Sequence, residues 1–271
     1  MVDYDVIIAG AGTGGATTAY TLAKKGKSVL LIDRKEKEKI GDKTCGDALG
    51  NHHILELREL VGLPEVPSDI IEHEVNGIDL IAPDREHRMR MQGPTTTGMS
   101  FNRLKMGQWF IGLAEKEGAE LLAGTRAKRL LFEDDKVSGI KIMDASGNDR
   151  DVTSRIVVDA TGATGMLRRQ LPENTPIERV INKEDQMVAW RDIYETPEYD
   201  FETPDILEIF WNQAETLGGY TWVFPQGKNR VNVGAGVMTI EGHRKPQDIM
   251  KQFVEPGWDF YKTNIKVLDS S

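Results

Sequence analysis

The chain has 271 residues, of which 39% are hydrophobic and 28% charged, as expected for a folded protein of one large or two small domains. With 34 Lys and Arg against 43 Asp and Glu, the net charge is −9, which disfavours non-specific binding to nucleic-acid phosphates. The single cysteine excludes an internal disulfide and any multi-cysteine metal site, and the five histidines show no ligand spacing, so we expect no metal centre.

The first 33 residues predict a strand, a helix and a second strand. Residues 4–9 and 28–33 are short apolar runs typical of buried parallel strands. Between them, residues 16–25 have small and apolar residues at helical spacing, and Gly26 supplies a C-terminal stop. The chain therefore opens with a βαβ unit.

The rest of the chain predicts a mixture of helices and strands. After a polar loop at 34–43, the predicted elements are helices over 51–62 and 101–118, an antiparallel pair within 76–91, and strands near 119–132, 137–143 and 155–159. Beyond Pro172, the segments 186–194, 205–213, 219–225 and 230–238 predict an antiparallel sheet. We expect an α/β protein with a first domain over 1–172, carrying inserted strands near 70–95, and a β-sheet domain over 173–271.

A glycine-rich loop connects the first strand to the first helix. Residues 10–15, Gly-Ala-Gly-Thr-Gly-Gly, fit G-x-G-x-x-G, in which Gly10 permits a tight turn, Gly12 lets a pyrophosphate approach and Gly15 lets the helix pack. The helix N-terminus adds unpaired N–H groups. Asp33 ends the second strand, where a carboxylate can accept hydrogen bonds from a ribose. The pattern predicts a dinucleotide site, and a glycine turn that only packs is the alternative.

Three features favour FAD over a nicotinamide dinucleotide. The βαβ unit lies at the N-terminus of the chain, and Asp159-Ala160-Thr161-Gly162 ends a later strand as in many two-domain flavoproteins. Arg103, at the start of a predicted helix, can reach a pyrophosphate or can simply be a surface arginine. Arg34 could meet a 2′-phosphate, but the neighbouring Asp33 argues against that interpretation.

Two further stretches resemble the geranylgeranyl reductase family. They are the cysteine-containing loop Gly41-Asp42-Lys43-Thr44-Cys45-Gly46-Asp47-Ala48, and Tyr220-Thr221-Trp222-Val223-Phe224-Pro225 followed by Gly234-Ala235-Gly236. The resemblance implies a Rossmann-like FAD-binding domain with an antiparallel β-sheet substrate domain, as in the para-hydroxybenzoate hydroxylase-like flavoproteins. It also implies an FAD-dependent oxidoreductase that saturates double bonds of geranylgeranyl chains in isoprenoid ether lipids.

The candidate site residues fall into three sets. The expected cofactor contacts are Gly10, Gly12, Gly14, Gly15, Asp33, Cys45, Gly46, Ala48, Arg103, Ala127, Asp159 and Gly162. The expected substrate pocket comprises Tyr220, Trp222, Phe224, Pro225, Gly234 and Gly236, because the three aromatic residues share one face of a strand; an ordinary sheet core is the alternative. Cys45 is the first candidate for the proton source and Asp47 the second. Cys45 can instead only line the cofactor pocket, or it can be a small buried hydrophobic residue.

The sequence also predicts partners and location. Asp3 and Asp5 occupy the place of a basic signal-peptide region, and no 18-residue apolar run occurs, so we expect a cytoplasmic protein that contacts membranes peripherally. The expected partners are a polyprenyl lipid and an electron donor, either NAD(P)H or ferredoxin. The two alternatives are an FAD-dependent aromatic monooxygenase and a non-catalytic prenyl-lipid-binding short form.

The chain departs from the flavoprotein pattern after Gly236. FAD enzymes of this fold return to the first domain through a strand and a Gly-Asp motif, and no such motif follows here. A helix dipole contributes only about 0.3–1 kcal/mol to an exposed anion, so the glycine loop alone cannot hold FAD. We therefore expect a C-terminally incomplete fold in which FAD binding is weakened or lost.

Overall fold

A computed structural model describes residues 2–196, 201–227, 229–254 and 266–270. The chain divides into two compact units: unit 1 comprises residues 1–42 and 104–181, and unit 2 comprises residues 43–103 and 182–271. Each unit is therefore built from two separate stretches of chain.

The described residues contain both helices and strands. The helices are α1 (Thr13–Lys24), α2 (Asn51–Val61), α3 (Arg103–Lys116), α4 (Gln213–Thr216) and α5 (Pro246–Val254). The strands are β1 (Tyr4–Ala9), β2 (Val29–Ile32), β3 (Ala48–Gly50), β4 (Ile71–Val75), β5 (Gly77–Ile81), β6 (Arg88–Met91), β7 (Gly98–Phe101), β8 (Glu120–Leu122), β9 (Arg126–Glu133), β10 (Lys136–Met143), β11 (Asp149–Asp159), β12 (Met187–Glu195), β13 (Ile206–Phe210), β14 (Tyr220–Pro225), β15 (Arg230–Met238) and β16 (Lys266–Ser270). Among the described helices, none is long and apolar enough to cross a membrane.

Unit 1 is built on a six-stranded sheet in the order β8-β2-β1-β11-β10-β9. Its β8, β2, β1 and β11 are parallel neighbours, and the apolar residues of β1 and β2 are almost fully buried, as expected for a parallel strand covered on both faces. The long strand β11 pairs through its first half with β10 in antiparallel fashion and through its second half with β1. This strand therefore joins the parallel and antiparallel parts of the sheet.

Unit 2 is built on a seven-stranded sheet in the order β16-β12-β15-β14-β13-β5-β6. Neighbouring strands are antiparallel except β13 and β5, which run parallel. A separate antiparallel sheet, β3-β7-β4, completes the unit. The predicted β-sheet domain is thus present, but it includes one parallel pair.

The two faces of the larger sheet have different packing partners. Side chains alternate between faces along a strand, so Val231, Val233, Ala235 and Val237 of β15 share one face, which packs against α5. Each of the three buried valine side chains contributes about 1.5–3 kcal/mol. On the opposite face, the side chains of Trp222 and Phe224 in β14 pack together with Val75, Leu207 and partly buried neighbours. The aromatic side chains therefore lie on the face away from α5.

The structure places the unit boundaries differently from the predicted division at residue 172. Residues 43–103 belong to unit 2, because β5 pairs with β13 and the predicted hairpin within 76–91 thereby joins the larger sheet. The predicted strand near 119–132 is two strands, β8 and β9, separated by a turn at Gly124, whose φ is +63°. The sequence patterns did not predict β3, β7, α4, α5 or β16, whereas β4 falls within the predicted inserted strands near 70–95.

Gly234 and Gly236 on β15 provide a test of this packing. A Cβ at Gly234 would lie 2.2 Å from Trp222 Cζ2 and 2.5 Å from the backbone oxygen of Trp190, whereas at Gly236 the nearest atom would be 3.7 Å away. We expect Gly234→Ala to lower the free energy of unfolding by about 1–3 kcal/mol through overpacking. The matched Gly236→Ala should be neutral or slightly stabilising, since Ala is favoured over Gly in a strand. Urea unfolding curves measure both, and equal losses in the two variants would contradict the observed packing.

Candidate functional site

The glycine loop of unit 1 connects β1 to α1 with two glycines in tight contact. Gly10 has φ +103°, and a Cβ there would lie 2.2 Å from the backbone oxygen of Ala160. A Cβ at Gly15 would lie 1.8 Å from the backbone oxygen of Gly10. These two positions therefore require glycine for the packing of unit 1 itself.

Two other glycines of the loop face open space. A Cβ at Gly12 or Gly14 would meet no atom within 4 Å. Gly12 is also the N-cap of α1, and it makes no side-chain capping hydrogen bond. The loop thus offers an approachable backbone at an uncapped helix N-terminus, which is the arrangement that accepts a phosphate.

Asp33 follows β2 and is held by the backbone beside this loop. Its Oδ2 accepts a hydrogen bond from the N–H of Ala11 at 2.8 Å, and its Oδ1 accepts one from the N–H of Lys35 at 2.9 Å. Each carboxylate oxygen accepts two hydrogen bonds in favourable geometry, so acceptor capacity remains for a ribose hydroxyl. Gly10, Gly12, Gly15 and Asp33 therefore meet in one place.

Asp159 lies at the end of β11, but its carboxylate is used within the chain. Its Oδ1 accepts hydrogen bonds from the N–H and hydroxyl of Thr161, at 3.0 and 2.6 Å, and its Oδ2 from the N–H groups of Leu167 and Arg168, both at 2.9 Å. Burial raises the pKa of Asp159, but these hydrogen bonds outweigh it and leave the pKa below the ordinary value. Asp159 therefore orders the 160–168 segment, which includes Gly162 with φ +81°.

Two other predicted cofactor contacts lie elsewhere. Ala127 is in β9, opposite Ile142 of β10, and packs against the apolar core of unit 1. Arg103 is in unit 2, where its guanidinium lies 5.8 Å from the centre of the Phe101 ring and its charge lowers the pKa of Asp47. The structure thus associates Arg103 with Asp47.

Unit 2 contains a cavity of about 170 Å³ that combines two motifs predicted separately. It is lined by Cys45, Gly46, Asp47, Ala48, Tyr220, Trp222 and Phe224. The first four residues form a segment that we call the 45–48 loop, and the three aromatic residues belong to β14. We call this space the aromatic cavity. Tertiary packing of the loop on β14 therefore joins the cysteine motif to the aromatic motif.

Close packing of the 45–48 loop on β14 depends on Gly46. A Cβ there would lie 2.7 Å from Cε2 of Phe224 and 3.6 Å from Nε1 of Trp222. The ring centres of Trp222 and Phe224 are 6.1 Å apart, and those of Tyr220 and Trp222 are 5.9 Å apart. The three rings form a continuous aromatic wall, of which Tyr220 is the exposed end.

The remaining residues of the predicted pocket support this wall or face away from it. Gly234 lies opposite Trp222 in the register of β15, and its missing side chain leaves room for the indole ring. Gly236 lies opposite Tyr220. Pro225 is the final residue of β14, and the alternation along the strand puts it on the other face from Phe224.

Asn232 is a site residue that the sequence patterns did not predict. Its side chain is fully buried, and the Nε1–H of Trp222 donates to its Oδ1 at 2.9 Å. Its Nδ2 donates to the backbone oxygen of Cys45 at 2.9 Å and to Oδ2 of Asp47 at 3.2 Å. A single polar residue within the apolar alternation of β15 was the available signal.

Asp47 is a carboxylic acid that lines the aromatic cavity, and its pKa is shifted from the ordinary value. It is 2% exposed and has φ +57°, a left-handed conformation that Asp and Asn tolerate better than most residues. Burial raises the pKa of Asp47 to about 6, although the positive charges of Arg191 and Arg103 and a hydrogen-bonding contribution from Cys45 oppose the rise, and Glu72 adds to it. A carboxyl group with this pKa can hold or release a proton near neutral pH.

Both halves of the sequence are similar to known protein families. The sequence matches the FAD dependent oxidoreductase family over residues 5–170 and the geranylgeranyl reductase catalytic domain over residues 185–268. It is 36% identical to a digeranylgeranylglycerophospholipid reductase of Sulfolobus acidocaldarius, over 93% of this chain and 54% of that protein. It is 30% identical to a reductase of the same name from Methanosarcina acetivorans, over 93% of this chain and 60% of that protein. The chain thus spans little more than half the length of these relatives.

Solved structures share the fold. A geranylgeranyl bacteriochlorophyll reductase-like protein of Thermoplasma acidophilum superposes with a TM-score of 0.84 at 24% identity, over 98% of this chain and 64% of that one. Aklavinone-11 hydroxylase in complex with FAD and aklavinone superposes with a TM-score of 0.69 at 18% identity, over 100% of this chain and 53% of that one. The predicted flavoprotein fold is confirmed. The match to the FAD dependent oxidoreductase family confirms the predicted cofactor, FAD. Since the oxidoreductase match covers more than half of the chain, the chain belongs to the family of FAD-dependent oxidoreductases, and its resemblance to geranylgeranyl reductases is confirmed.

Proposed function

We propose that this protein is a reductase that uses FAD to saturate double bonds in the geranylgeranyl chains of isoprenoid lipids. The observation that carries the proposal is the aromatic cavity, in which the 45–48 loop and the wall of Tyr220, Trp222 and Phe224 enclose one space. An alkene chain needs an apolar surface for binding and a proton source for reduction, and this cavity supplies both. The names of the similar reductases support the same substrate class.

Unit 1 fits the dinucleotide part of FAD. The open backbone at Gly12 and the N-terminus of α1 would hold the pyrophosphate, and the Asp33 carboxylate would accept a hydrogen bond from the adenosine ribose. Asp159 would act indirectly, because its hydrogen bonds fix a segment whose Ala160 oxygen packs on Gly10. Reduced FAD supplies the hydride in this chemistry, and a donor of the NAD(P)H or ferredoxin class restores its two electrons.

The residues of unit 2 supply binding and a proton. The aromatic wall contacts the prenyl chain and excludes water. An uncharged alkene has no polar group that must be solvated, so it can bind in this apolar space. Saturation of one double bond adds a hydride to one carbon and a proton to the other, so a protonated group beside the alkene is required. Asp47 and Cys45 line the cavity, and both can carry that proton. Contact with a membrane surface would let the lipid chain enter from the bilayer.

The proposal predicts the product of a defined assay. The purified chain, supplied with excess chemically reduced FAD under anaerobic conditions, should add two hydrogens per double bond to a geranylgeranyl ether phospholipid in detergent micelles, as measured by mass spectrometry. Tyr220→Ala should raise the lipid KM about tenfold because it removes the exposed end of the wall. Trp211→Ala, which removes an exposed aromatic residue outside the cavity, is the matched control. Lipid binding without reduction, or NAD(P)H-dependent oxygen uptake with hydroxylation, would contradict the reductase.

The glycine loop provides a test of FAD binding that does not depend on catalysis. Gly12 has φ −64° and ψ −178°, which Ala adopts freely, and a Cβ there meets no protein atom, so Gly12→Ala should fold normally. If a pyrophosphate lies against this backbone, the added methyl group should weaken FAD binding about tenfold, equivalent to 1.4 kcal/mol. Flavin fluorescence titration measures the affinity. Gly112→Ala, an equally open position in α3, is the control, and equal affinity of the two variants would argue against the site.

The raised pKa of Asp47 predicts a pH-dependent stability. The folded chain holds this proton more tightly than the unfolded chain, so the free energy of unfolding should fall as the pH rises from about 3.8 to about 6. The Asp47→Asn variant lacks the titrating group, and its stability relative to wild type should increase by about 2 kcal/mol between pH 4 and pH 7. Urea unfolding at each pH measures the difference.

Asp144→Asn is the control for the sign of this effect. A hydrogen bond from the backbone N–H of Asn148 holds the pKa of Asp144 below its ordinary value, so the relative stability of that variant should fall as the pH rises. A flat difference for Asp47→Asn between pH 4 and pH 7 would show that folding does not raise the pKa of Asp47.

A further inference from the structure

Asn232 holds three groups of the aromatic cavity through one buried amide. The indole of Trp222 can only donate a hydrogen bond, and the backbone oxygen of Cys45 can only accept one. These two partners together fix which end of the amide is oxygen and which is nitrogen, because the flipped amide would face both with the wrong group. The Nδ2 of Asn232 therefore points at Asp47 as a donor.

This orientation distinguishes the two carboxyl oxygens of Asp47. Oδ2 accepts a hydrogen bond from Nδ2 of Asn232 at 3.2 Å. A proton on Oδ2 would therefore place an O–H donor beside the N–H donor of the amide. Oδ1 is buried and has no hydrogen-bond partner in normal geometry among the described residues. We propose that Asn232 is a positioning residue that keeps the proton of Asp47 on Oδ1, an inference that rests on the reductase proposed above.

Strand register explains why this role falls to Asn232. It lies opposite Phe224 of β14 and Ile193 of β12, so its side chain is on the aromatic face of the sheet. Its neighbours Val231 and Val233 point to the other face, where they pack in the core beside α5. Position 232 is therefore where β15 can reach the 45–48 loop.

The charged groups around Asp47 come from several elements. Arg191 of β12 and Arg103 of α3 favour its ionised form, and Glu72 of β4 opposes it. Glu72 is itself paired with Arg230 at 2.9 Å. Because hydrogen bonding from Asn232 also favours the ionised form, removing the amide should raise the pH at which Asp47 ionises.

The single cysteine of the chain makes this titration measurable without catalysis. Alkylation by iodoacetamide reports Cys45 alone, and Asp47 lies close enough to Cys45 for its charge to affect the rate. In wild type, the alkylation rate should show a step near pH 6, and Asp47→Asn should abolish it. Asn232→Leu should move the step upward by about one pH unit.

Two more variants separate positioning from stability. Val233→Ala removes buried volume from the opposite face of the same strand and should leave the step in place. Asn232→Asp preserves the shape of the side chain and serves as a second variant if Asn232→Leu fails to fold. It should also move the step to higher pH, because two carboxyl groups would then share one site. An unchanged step in both Asn232 variants would overturn the positioning role.

The outcome for Asn232 is distinguishable from the outcome for the reductase. If the step moves but wild type reduces no lipid, the positioning role stands and the proposed function fails. If wild type reduces the lipid, Asn232→Leu should shift the pH profile of kcat in the same direction as the step. Reduction with an unshifted profile and an unshifted step would leave the reductase intact and refute the role of Asn232.

Discussion

The buried amide of Asn232 connects the sheet of unit 2 to the 45–48 loop, and the aromatic cavity depends on that connection. Trp222 of β14 and, far away in the sequence, Cys45 and Asp47 of the 45–48 loop share this one partner. Loss of the amide would leave an indole N–H and a backbone oxygen buried without partners, at a cost of about 1–3 kcal/mol each. The same hydrogen bonds that hold the loop therefore also orient its acid.

Close packing in both units is possible because particular positions lack a side chain. In unit 1, Gly10 and Gly15 bring the turn at Ala160 and the start of α1 against the loop. In unit 2, Gly46 brings the 45–48 loop onto Phe224, and Gly234 makes room for the Trp222 ring. Gly12 is different, because its missing side chain leaves open space, and that space is what a ligand requires. Within the glycine-rich loop, Gly10 and Gly15 are therefore required for packing, whereas Gly12 leaves space for a ligand.

Two aspartates at the ends of parallel strands differ in how many hydrogen bonds their carboxylates already accept. Asp33 accepts one backbone hydrogen bond on each oxygen and keeps acceptor capacity. Asp159 accepts two hydrogen bonds on each oxygen and has none left in favourable geometry. Their sequence contexts are similar, because each follows a run of β-branched or aliphatic residues. The number of neighbouring N–H groups, which depends on how the next segment folds back, decides between them.

The sequence by itself determined the βαβ unit, the dinucleotide loop and the shared face of Tyr220, Trp222 and Phe224, because each follows from local periodicity or from glycine spacing. The short strands β3 and β7 and the helix α5 were not predicted, and β3 and β7 pair with strands that lie elsewhere along the chain. The parallel pairing of β5 with β13 moved residues 43–103 into unit 2, and no local pattern encodes such a pairing. Tertiary structure alone decided that the cysteine loop packs on the aromatic strand and that Asn232 joins them. The reason is that hydrogen bonds between residues 187 and 185 positions apart depend on the register of packed strands.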